Sequence, residues 1–372
     1  SWGSWGSWGS WGGQPAPEGQ PLLSEALVKN RDGIVASWQP PSGIPPARSL
    51  GDPNNIALWD PAVRAQVLDS EMFSQIAFSN GAAGSNTVTV WHISGTPGSA
   101  AATPPFQPLV AMKRPTPAIF KSQLEFMDAY AALREDRGPE IITQLDMVRA
   151  FFMSIPYLRP DRTKWTLELM EAAHRMSILV EMRVKHAFAC RRPIEYSPQV
   201  QPTILTPSHG SLPSGHSCES FMAAVVLLML LRESTIAPYS DASYGDQLMR
   251  LSSRIAINRT VAGVHFPIDS AAGAVLGLTL GQYFVNRCCG AGTYDAWSFD
   301  GTKYPDPAAK RPPPEDGDFY WRELYDVDGK PSPGQKATKA PYEYAARIGQ
   351  QQMGNTSPML AWLWNKAKAE WA

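Results

Sequence analysis

The stretch Thr206-Pro-Ser-His-Gly-Ser-Leu-Pro-Ser-Gly-His-Ser217 is followed by the most apolar run of the chain, Phe221 to Leu231. A turn-rich loop that leads directly into a buried helix places Ser214, Gly215 and His216 at the N-terminus of that helix. Backbone N–H groups lack partners there and the helix dipole is positive, so the position favours an anion. Gly215 lets the backbone approach a ligand, and His216 can give and take a proton beside it. Taken alone, the tetrapeptide Pro213-Ser-Gly-His216 suits an ordinary helix start equally well.

Two cations lie upstream, near the end of a helix predicted over residues 161–191. Lys185 and Arg192 are seven residues apart, about two helical turns, so both are expected on one face near the C-terminal end. Pro193 ends this helix. The two cations are either solvated charges that the helix dipole favours or one wall of an anion pocket.

A third cluster lies downstream, where Arg259 is followed by His265 and then by Asp269. An acid one turn after a histidine holds the imidazole in one tautomer and makes it a better nucleophile or ligand. Taken singly, His265 equally suits a structural histidine.

Together these clusters resemble the signature shared by the type 2 phosphatidic acid phosphatases (PAP2), the bacterial non-specific acid phosphatases and the vanadium-dependent haloperoxidases. The matching residues are Lys185 with Arg192-Pro193, Pro213-Ser-Gly-His216, and Arg259 with His265 and Asp269. The resemblance covers about residues 117–290. Asn258 stands where the family usually has Ser before the arginine. This departure leaves the charge pattern intact and affects only a contact that supports Arg259.

The resemblance implies a mainly α-helical bundle of the PAP2/haloperoxidase type that binds an oxyanion. The residues expected to hold the oxyanion are Lys185, Arg192, Ser214, Gly215 and Arg259. The catalytic residues expected are His216, His265, Asp269 and His209. His265 would bond to the central atom while Asp269 orients it, and His216 would exchange protons with the apical oxygen.

The central atom decides the activity that the resemblance implies. Vanadate would make His265 a ligand of vanadium, and the chain a haloperoxidase that uses hydrogen peroxide and bromide or iodide to halogenate small organic acceptors. His209, seven residues before His216, is similar to the second histidine of algal-type vanadium bromoperoxidases and favours this activity. Phosphate would compete with vanadate for the same oxyanion site. An ordinary loop histidine is the alternative for His209.

Two other functions stay open at this point. The alternative enzyme is an acid phosphatase that forms a phosphohistidine at His265. The third candidate is a protein that binds phosphate or vanadate without turnover.

The pattern along the chain predicts four segments. They are a Ser-Trp-Gly tail at 1–21, an irregular extension at 22–116, a helical catalytic core at 117–290, and a Pro/Gly-rich segment with terminal helices at 291–372. The extension is expected to contain little regular structure beyond a helix at 60–73 and a strand at 86–93. The terminal helices are expected at 341–352 and 357–371.

Composition limits the partners of this 372-residue chain. Its net charge of −1 argues against a nucleic-acid surface or a polybasic membrane surface. The apolar run ending at Leu231 is shorter than the roughly 20 residues that span a bilayer, so a soluble protein without a transmembrane segment is expected. A periplasmic or secreted location is favoured over the cytoplasm.

Two further expectations concern assembly and cysteines. Algal-type relatives assemble into dimers or larger shells, so the resemblance implies a homo-oligomer, and the tryptophans of the tail are a candidate contact. The four cysteines suit small buried side chains, and a disulfide between Cys190 and Cys218 stays open.

Overall fold

The computed structural model describes residues 21–95, 106–328, 333–336, 343–354 and 357–372. The described residues fall into two compact units, one within residues 2–64 and one within residues 65–372. The smaller unit contains helix α1 (Pro21–Ile34) and a short 3₁₀ helix (Pro53–Ile56). The Ser-Trp-Gly tail predicted at 1–21 lies, apart from Pro21, outside the described residues.

The larger unit is mainly α-helical, as predicted. The helices after α1 are α2 (Pro61–Phe73), α3 (Pro117–Ser122), α4 (Leu124–Ala131), α5 (Arg134–Thr143), α6 (Val148–Ser154), α7 (Lys164–Phe188), α8 (Pro193–Tyr196), α9 (Gly215–Arg232), α10 (Ala242–Val261), α11 (Pro267–Cys288) and α12 (Pro358–Lys368). The helices predicted at 60–73 and 357–371 correspond to α2 and to α12 with its 3₁₀ extension, Ala369–Trp371.

Helix α9 lies at the centre of the larger unit. Its sequence is apolar on nearly every side, and a helix of that kind must be surrounded by other elements. Helices α7, α10 and α11 all pack against it. The approach of α11 is close: a Cβ added at Gly277 would lie 2.2 Å from the carbonyl oxygen of Cys218 on α9. This packing fixes the end of α9 that carries the Pro-Ser-Gly-His motif.

The same helix corrects one expectation from the sequence. Among the described residues, α9 is the helix whose length of 18 residues and composition would allow it to cross a membrane. The prediction of no transmembrane segment was therefore wrong, because it counted only the apolar run and omitted the mostly uncharged residues back to Gly215. In the structure, 72% of this helix is buried inside the protein, and a core helix meets the same criterion.

A five-stranded sheet joins segments that are distant in sequence. The strands are β1 (Ile76–Asn80), β2 (Thr87–Ile93), β3 (Phe106–Lys113), β4 (Thr293–Asp300) and β7 (Ala345–Gln352), while β5 (Tyr325–Asp326) and β6 (Gly334–Gln335) form a separate pair. The order is β1-β2-β3-β4-β7, with β3 and β4 parallel and the other neighbours antiparallel. Strand β2 confirms the strand predicted at 86–93, with alternate residues buried.

The sheet differs from the sequence prediction in two ways. Strand β3 lies in the extension that was expected to be irregular, and it pairs with β4 from beyond the helical core. Strand β7 replaces most of the helix predicted at 341–352, because its residues pair along β4. Pairing between distant segments overrides the local preference for helix.

Candidate active site

The predicted site residues meet where several helices begin or end. Lys185 lies in the last turn of α7, and Arg259 lies in the last turn of α10. Asp269 lies in the first turn of α11, and Ser214 is the N-cap of α9. Helix ends leave backbone groups without helical partners, so this junction is suited to polar contacts.

The position of Arg192 differs from the sequence prediction. Helix α7 ends at Phe188, and Ala189 adopts a left-handed conformation with φ of 49°, so the helix does not continue to residue 191. Arg192 instead has extended backbone and precedes Pro193 at the start of α8. It reaches the same pocket as Lys185 from a separate element rather than from one helix face.

His265 is held between an acid and a cation. Its Nδ1 lies 3.2 Å from Oδ2 of Asp269, and its Nε2 lies 2.9 Å from Nη1 of Arg192. Arginine can only donate, so Nε2 is the unprotonated nitrogen and Nδ1 carries the hydrogen that Asp269 accepts. Burial, followed by the charges of Arg192 and Lys185, lowers the pKa of His265 well below its usual value. The imidazole is therefore neutral, and the lone pair of Nε2 accepts the hydrogen bond from Arg192.

Asp269 is fully buried, and its Oδ2 accepts hydrogen bonds from several groups. The Phe266 N–H donates to it at 2.9 Å, and the Ser211 hydroxyl donates through a short hydrogen bond. Burial raises the pKa of Asp269 to about 6, although these two hydrogen bonds lower it. Sequence analysis missed Ser211, although it lies in the loop quoted at the outset.

Arg192 connects His265 to His209. Its Nη1 also donates to the carbonyl oxygen of Val264 at 2.9 Å. Its Nε donates to the carbonyl oxygen of His209 at 3.0 Å, and its Nη2 lies 3.1 Å from Nδ1 of the same histidine. Burial, followed by the charges of Lys185 and Arg192, lowers the pKa of His209 to about 4. His209 is thus a neutral, partly buried group beside the pocket arginine.

Lys185 is the second buried cation, with 1% of its surface exposed. Its ammonium donates to the carbonyl oxygen of Ser211 at 3.3 Å and, through a short contact, to that of Pro213. Burial lowers its pKa to about 8, while the neighbouring Glu181 opposes this effect. These two carbonyl groups hold the ammonium of Lys185 against the loop that precedes α9.

Arg259 is the third buried cation and the one with unused donors. Its Nη2 donates to Oε1 of Gln144 at 2.8 Å and to the carbonyl oxygen of Ile141 at 3.2 Å. Its Nε and Nη1 are buried and have no hydrogen-bond partner among the described residues. A buried guanidinium with unpartnered N–H groups is a donor set suited to an oxyanion.

The N-terminus of α9 is only partly as predicted. Ser214 caps the helix, since its Oγ accepts the N–H of Ser217 at 3.5 Å. The backbone N–H of Ser214, however, donates to the carbonyl oxygen of Asp269 at 2.8 Å and is therefore already satisfied. At Gly215 an added Cβ would lie 2.6 Å from Oε1 of Glu181, so a side chain there would collide with a buried carboxylate.

His216 lies beside Arg259 but is turned toward the main chain. Its Nε2 is 3.0 Å from the carbonyl oxygen of Gln144. Burial, followed by the charge of Arg259, lowers the pKa of His216 to about 3. The ring is therefore neutral at pH 7, with Nε2–H donating to Gln144.

Two carboxylates behind the pocket were missed by sequence analysis. Glu181 lies one turn before Lys185 on α7, and burial raises its pKa well above the usual value. Burial also raises the pKa of Glu219, one turn after Gly215, to about 7. No motif marks these positions, and only the packing of α7 on α9 brings them together.

The cysteines nearest the pocket are thiols. Cys190 and Cys218 are both buried and neither forms a disulfide, so the bond that the sequence left open is absent. Burial raises the pKa of Cys190 to about 12, which keeps its thiol protonated.

Comparison with known proteins agrees with this arrangement. Residues 169–287 match the model of the PAP2 superfamily. This segment is a PAP2 superfamily domain. It contains all the predicted site residues, whereas Gln144 and Ile141 lie outside it. Members of the superfamily are phosphatases or haloperoxidases.

No match was found among the curated proteins. Among solved structures, the chain is similar to the first transmembrane PAP2-type phosphatidylglycerolphosphate phosphatase from Bacillus subtilis. The sequence identity is 20%, the match covers 45% of this chain and 84% of that chain, and the TM-score is 0.35.

Proposed function

We propose that the chain is a phosphatase that cleaves phosphate esters through a phosphohistidine at His265. The observation that carries the proposal is the state of His265 itself. Its Nδ1–H is held by Asp269, and its unprotonated Nε2 accepts a hydrogen bond from Arg192, one of three buried cations at this junction. Nucleophilic phosphoryl transfer requires an unprotonated nitrogen close to cations that can stabilise the negative charge on the phosphoryl oxygens.

The first step would transfer the phosphoryl group to the histidine. The unpartnered N–H groups of Arg259 and the ammonium of Lys185 would bind the phosphoryl oxygens. Nη1 of Arg192 would turn from Nε2 of His265 to a phosphoryl oxygen, and Nε2 would form a bond to phosphorus as the bond to the ester oxygen breaks. The leaving oxygen would keep the bonding electrons and take a proton from His216, while the positive charge on the phosphorylated ring is balanced by Asp269.

The second step would release phosphate. A water molecule would attack phosphorus and lose a proton to His216, and the bonding electrons of the P–N bond would return to Nε2 of His265. His216 is neutral without substrate because of burial and the charge of Arg259. A phosphate dianion beside it opposes the charge of Arg259 and raises the pKa of His216, so substrate binding favours the acid form needed in the first step.

A vanadate-dependent haloperoxidase is the second candidate, and the position of His209 favours it. The same donors fit vanadate, which has the shape and charge of phosphate: Lys185, Arg192 and Arg259 would hold its oxygens, and Nε2 of His265 would bind the metal. Bound vanadate would supply the Lewis acidity that activates hydrogen peroxide toward a halide. His209 would then serve as a neutral imidazole, hydrogen-bonded to Arg192, at the edge of that centre.

Two paired assays on vanadate-free protein decide between these activities. The first follows hydrolysis of p-nitrophenyl phosphate, and the second follows bromination of a phenol dye with hydrogen peroxide and bromide, before and after orthovanadate is added. We expect hydrolysis that vanadate inhibits, together with an acid-labile phosphoenzyme that is absent from His265→Ala. Bromination that appears only with vanadate, without hydrolysis, would overturn the phosphatase in favour of the haloperoxidase. Oxyanion binding without either activity would leave only a binding protein.

A further inference from the structure

Gln144 touches two residues of the proposed site although it lies outside the PAP2 domain. It follows the last residue of α5, and its side chain is fully buried. No sequence motif identifies it, and its nearest residue in the matched domain is 25 positions further along the chain. Its contacts come from the packing of α5 against α10.

The hydrogen bonds of Gln144 reach both an arginine and a histidine of the pocket. Its Oε1 accepts from Nη2 of Arg259 at 2.8 Å and from Nδ2 of Asn258 at 3.1 Å. Its backbone carbonyl accepts from Nε2 of His216 at 3.0 Å. Because a guanidinium can only donate, the contact with Arg259 fixes which end of the amide is the oxygen. The remaining group, Nε2 of Gln144, is buried and has no partner among the described residues.

We infer that Gln144 is a positioning residue that holds Arg259 and His216 in the geometry of the oxyanion pocket. This inference rests on the proposed function for the role of the pocket, but it concerns oxyanion binding and so applies to phosphate and vanadate alike. Without Oε1 of Gln144, the guanidinium of Arg259 keeps only the carbonyl of Ile141 as a partner. Its two unpartnered N–H groups would then lose a fixed direction, and a loosely held donor binds an anion less well than a preorganised one.

Asn258 extends this arrangement and accounts for the departure from the family pattern. Its Nδ2 donates to Gln144 and to Oε2 of Glu140 at 3.1 Å, and its Oδ1 accepts from Nη1 of Arg137 at 2.9 Å. Glu140 is in turn paired with Arg254 at 2.6 Å. A serine has one hydroxyl on a shorter side chain and could not make all these contacts. In this chain the residue before Arg259 therefore ties the pocket to α5.

The test is oxyanion affinity in Gln144→Met, which keeps the length of the side chain and removes its hydrogen bonds. We expect the dissociation constants of inorganic phosphate and of orthovanadate, measured by titration calorimetry, to rise about tenfold. The matched control is Gln123→Met, since Gln123 is also fully buried but bonds to Ile268 N–H and the carbonyl oxygen of Gly317. The control is expected to lose similar thermal stability and to bind both anions as the unchanged chain does.

A second variant keeps the inference testable if Gln144→Met folds poorly. Gln144→Glu preserves size and the acceptor for Arg259, but its carboxylate pairs with the guanidinium and competes with a bound anion. We expect weaker phosphate binding than in Gln144→Met. Phosphate and vanadate affinities equal to those of the unchanged chain in whichever variant folds would overturn the inference.

Kinetics separate positioning from general loss of structure. In Gln144→Met we expect KM for p-nitrophenyl phosphate to rise more than kcat falls, because the backbone carbonyl that holds His216 remains. Asn258→Ser should act in the same direction, and the double variant should be no weaker than Gln144→Met alone, since both changes act on one contact. Fully additive losses would contradict the shared contact. Failure of the unchanged chain to bind either anion would overturn the proposed function and, with it, this inference.

Discussion

Asp269→Asn is the change that tests the proposed chemistry most directly. Asp269 accepts the Nδ1–H of His265 at 3.2 Å, and without the carboxylate the imidazole loses the charged acceptor that selects this tautomer. In serine proteases, where an aspartate alone sets the tautomer, the same replacement lowers kcat by about 10⁴-fold. Here Arg192 also donates to Nε2, at 2.9 Å, and independently favours a hydrogen on Nδ1. We therefore expect a smaller loss, about 10²- to 10³-fold, or about 3 to 4 kcal/mol of transition-state stabilisation.

The assay is hydrolysis of p-nitrophenyl phosphate at saturating substrate, with phosphate affinity measured alongside. Removing a buried negative charge leaves the cations of the pocket less compensated, so phosphate should bind at least as tightly as before. The matched control is Asp318→Asn, because Asp318 accepts the hydroxyl of Tyr130 at 2.8 Å and the N–H of Phe319 at 2.7 Å, away from the pocket. A folded Asp269→Asn protein with less than a threefold loss of kcat would refute the role assigned to Asp269.

Three further predictions concern packing, pH and the choice of activity. Gly277→Ala should destabilise the fold by about 1–3 kcal/mol, because its Cβ would lie 2.2 Å from the carbonyl oxygen of Cys218; an unchanged Tm would contradict this. Burial lowers the pKa of Lys185 to about 8, so it is a cation below that pH and loses its charge above it. Phosphate affinity measured from pH 7.5 to 9.5 should therefore fall, and Lys185→Met should remove most of that dependence. His209→Ala should change phosphatase kcat by less than about threefold, because the carbonyl oxygen of residue 209 still accepts from Arg192; a tenfold loss of hydrolysis would assign His209 to the phosphatase site.

The pocket could be predicted from the sequence where short spacings decide the geometry. His265 and Asp269 are one helical turn apart, and the acid falls in the first turn of α11, so their contact follows from local structure. Arg192 was expected on the face of a helix and instead lies beyond its end. It still reaches the pocket because Ala189 adopts a left-handed conformation and redirects the chain. Alanine rarely adopts this conformation, so the sequence does not predict it.

The parts that could not be predicted depend on contacts between distant segments. Gln144 bonds to Arg259, 115 positions further along the chain. No motif near residue 144 predicts that its side chain is buried or that it contacts the pocket. Strand β7 has residues that suit a helix, and only its pairing with β4 makes it extended. The membrane expectation was wrong for a different reason: only the apolar run ending at Leu231 was counted, although the sequence already placed the start of the helix at Ser214 to His216.

The charges of the pocket connect its stability to its function. Lys185, Arg192 and Arg259 are all almost completely buried, and burying three cations costs free energy unless anions compensate them. Asp269 supplies one negative charge, whereas burial raises the pKa of Glu181 well above its usual value and that of Glu219 to about 7, so these two carboxyl groups are less ionised. The histidines cannot add positive charge at neutral pH, because burial also lowers the pKa values of His265, His216 and His209. The described residues thus hold more positive than negative charge at this junction, and under the proposed function we expect a phosphate or vanadate dianion to balance it.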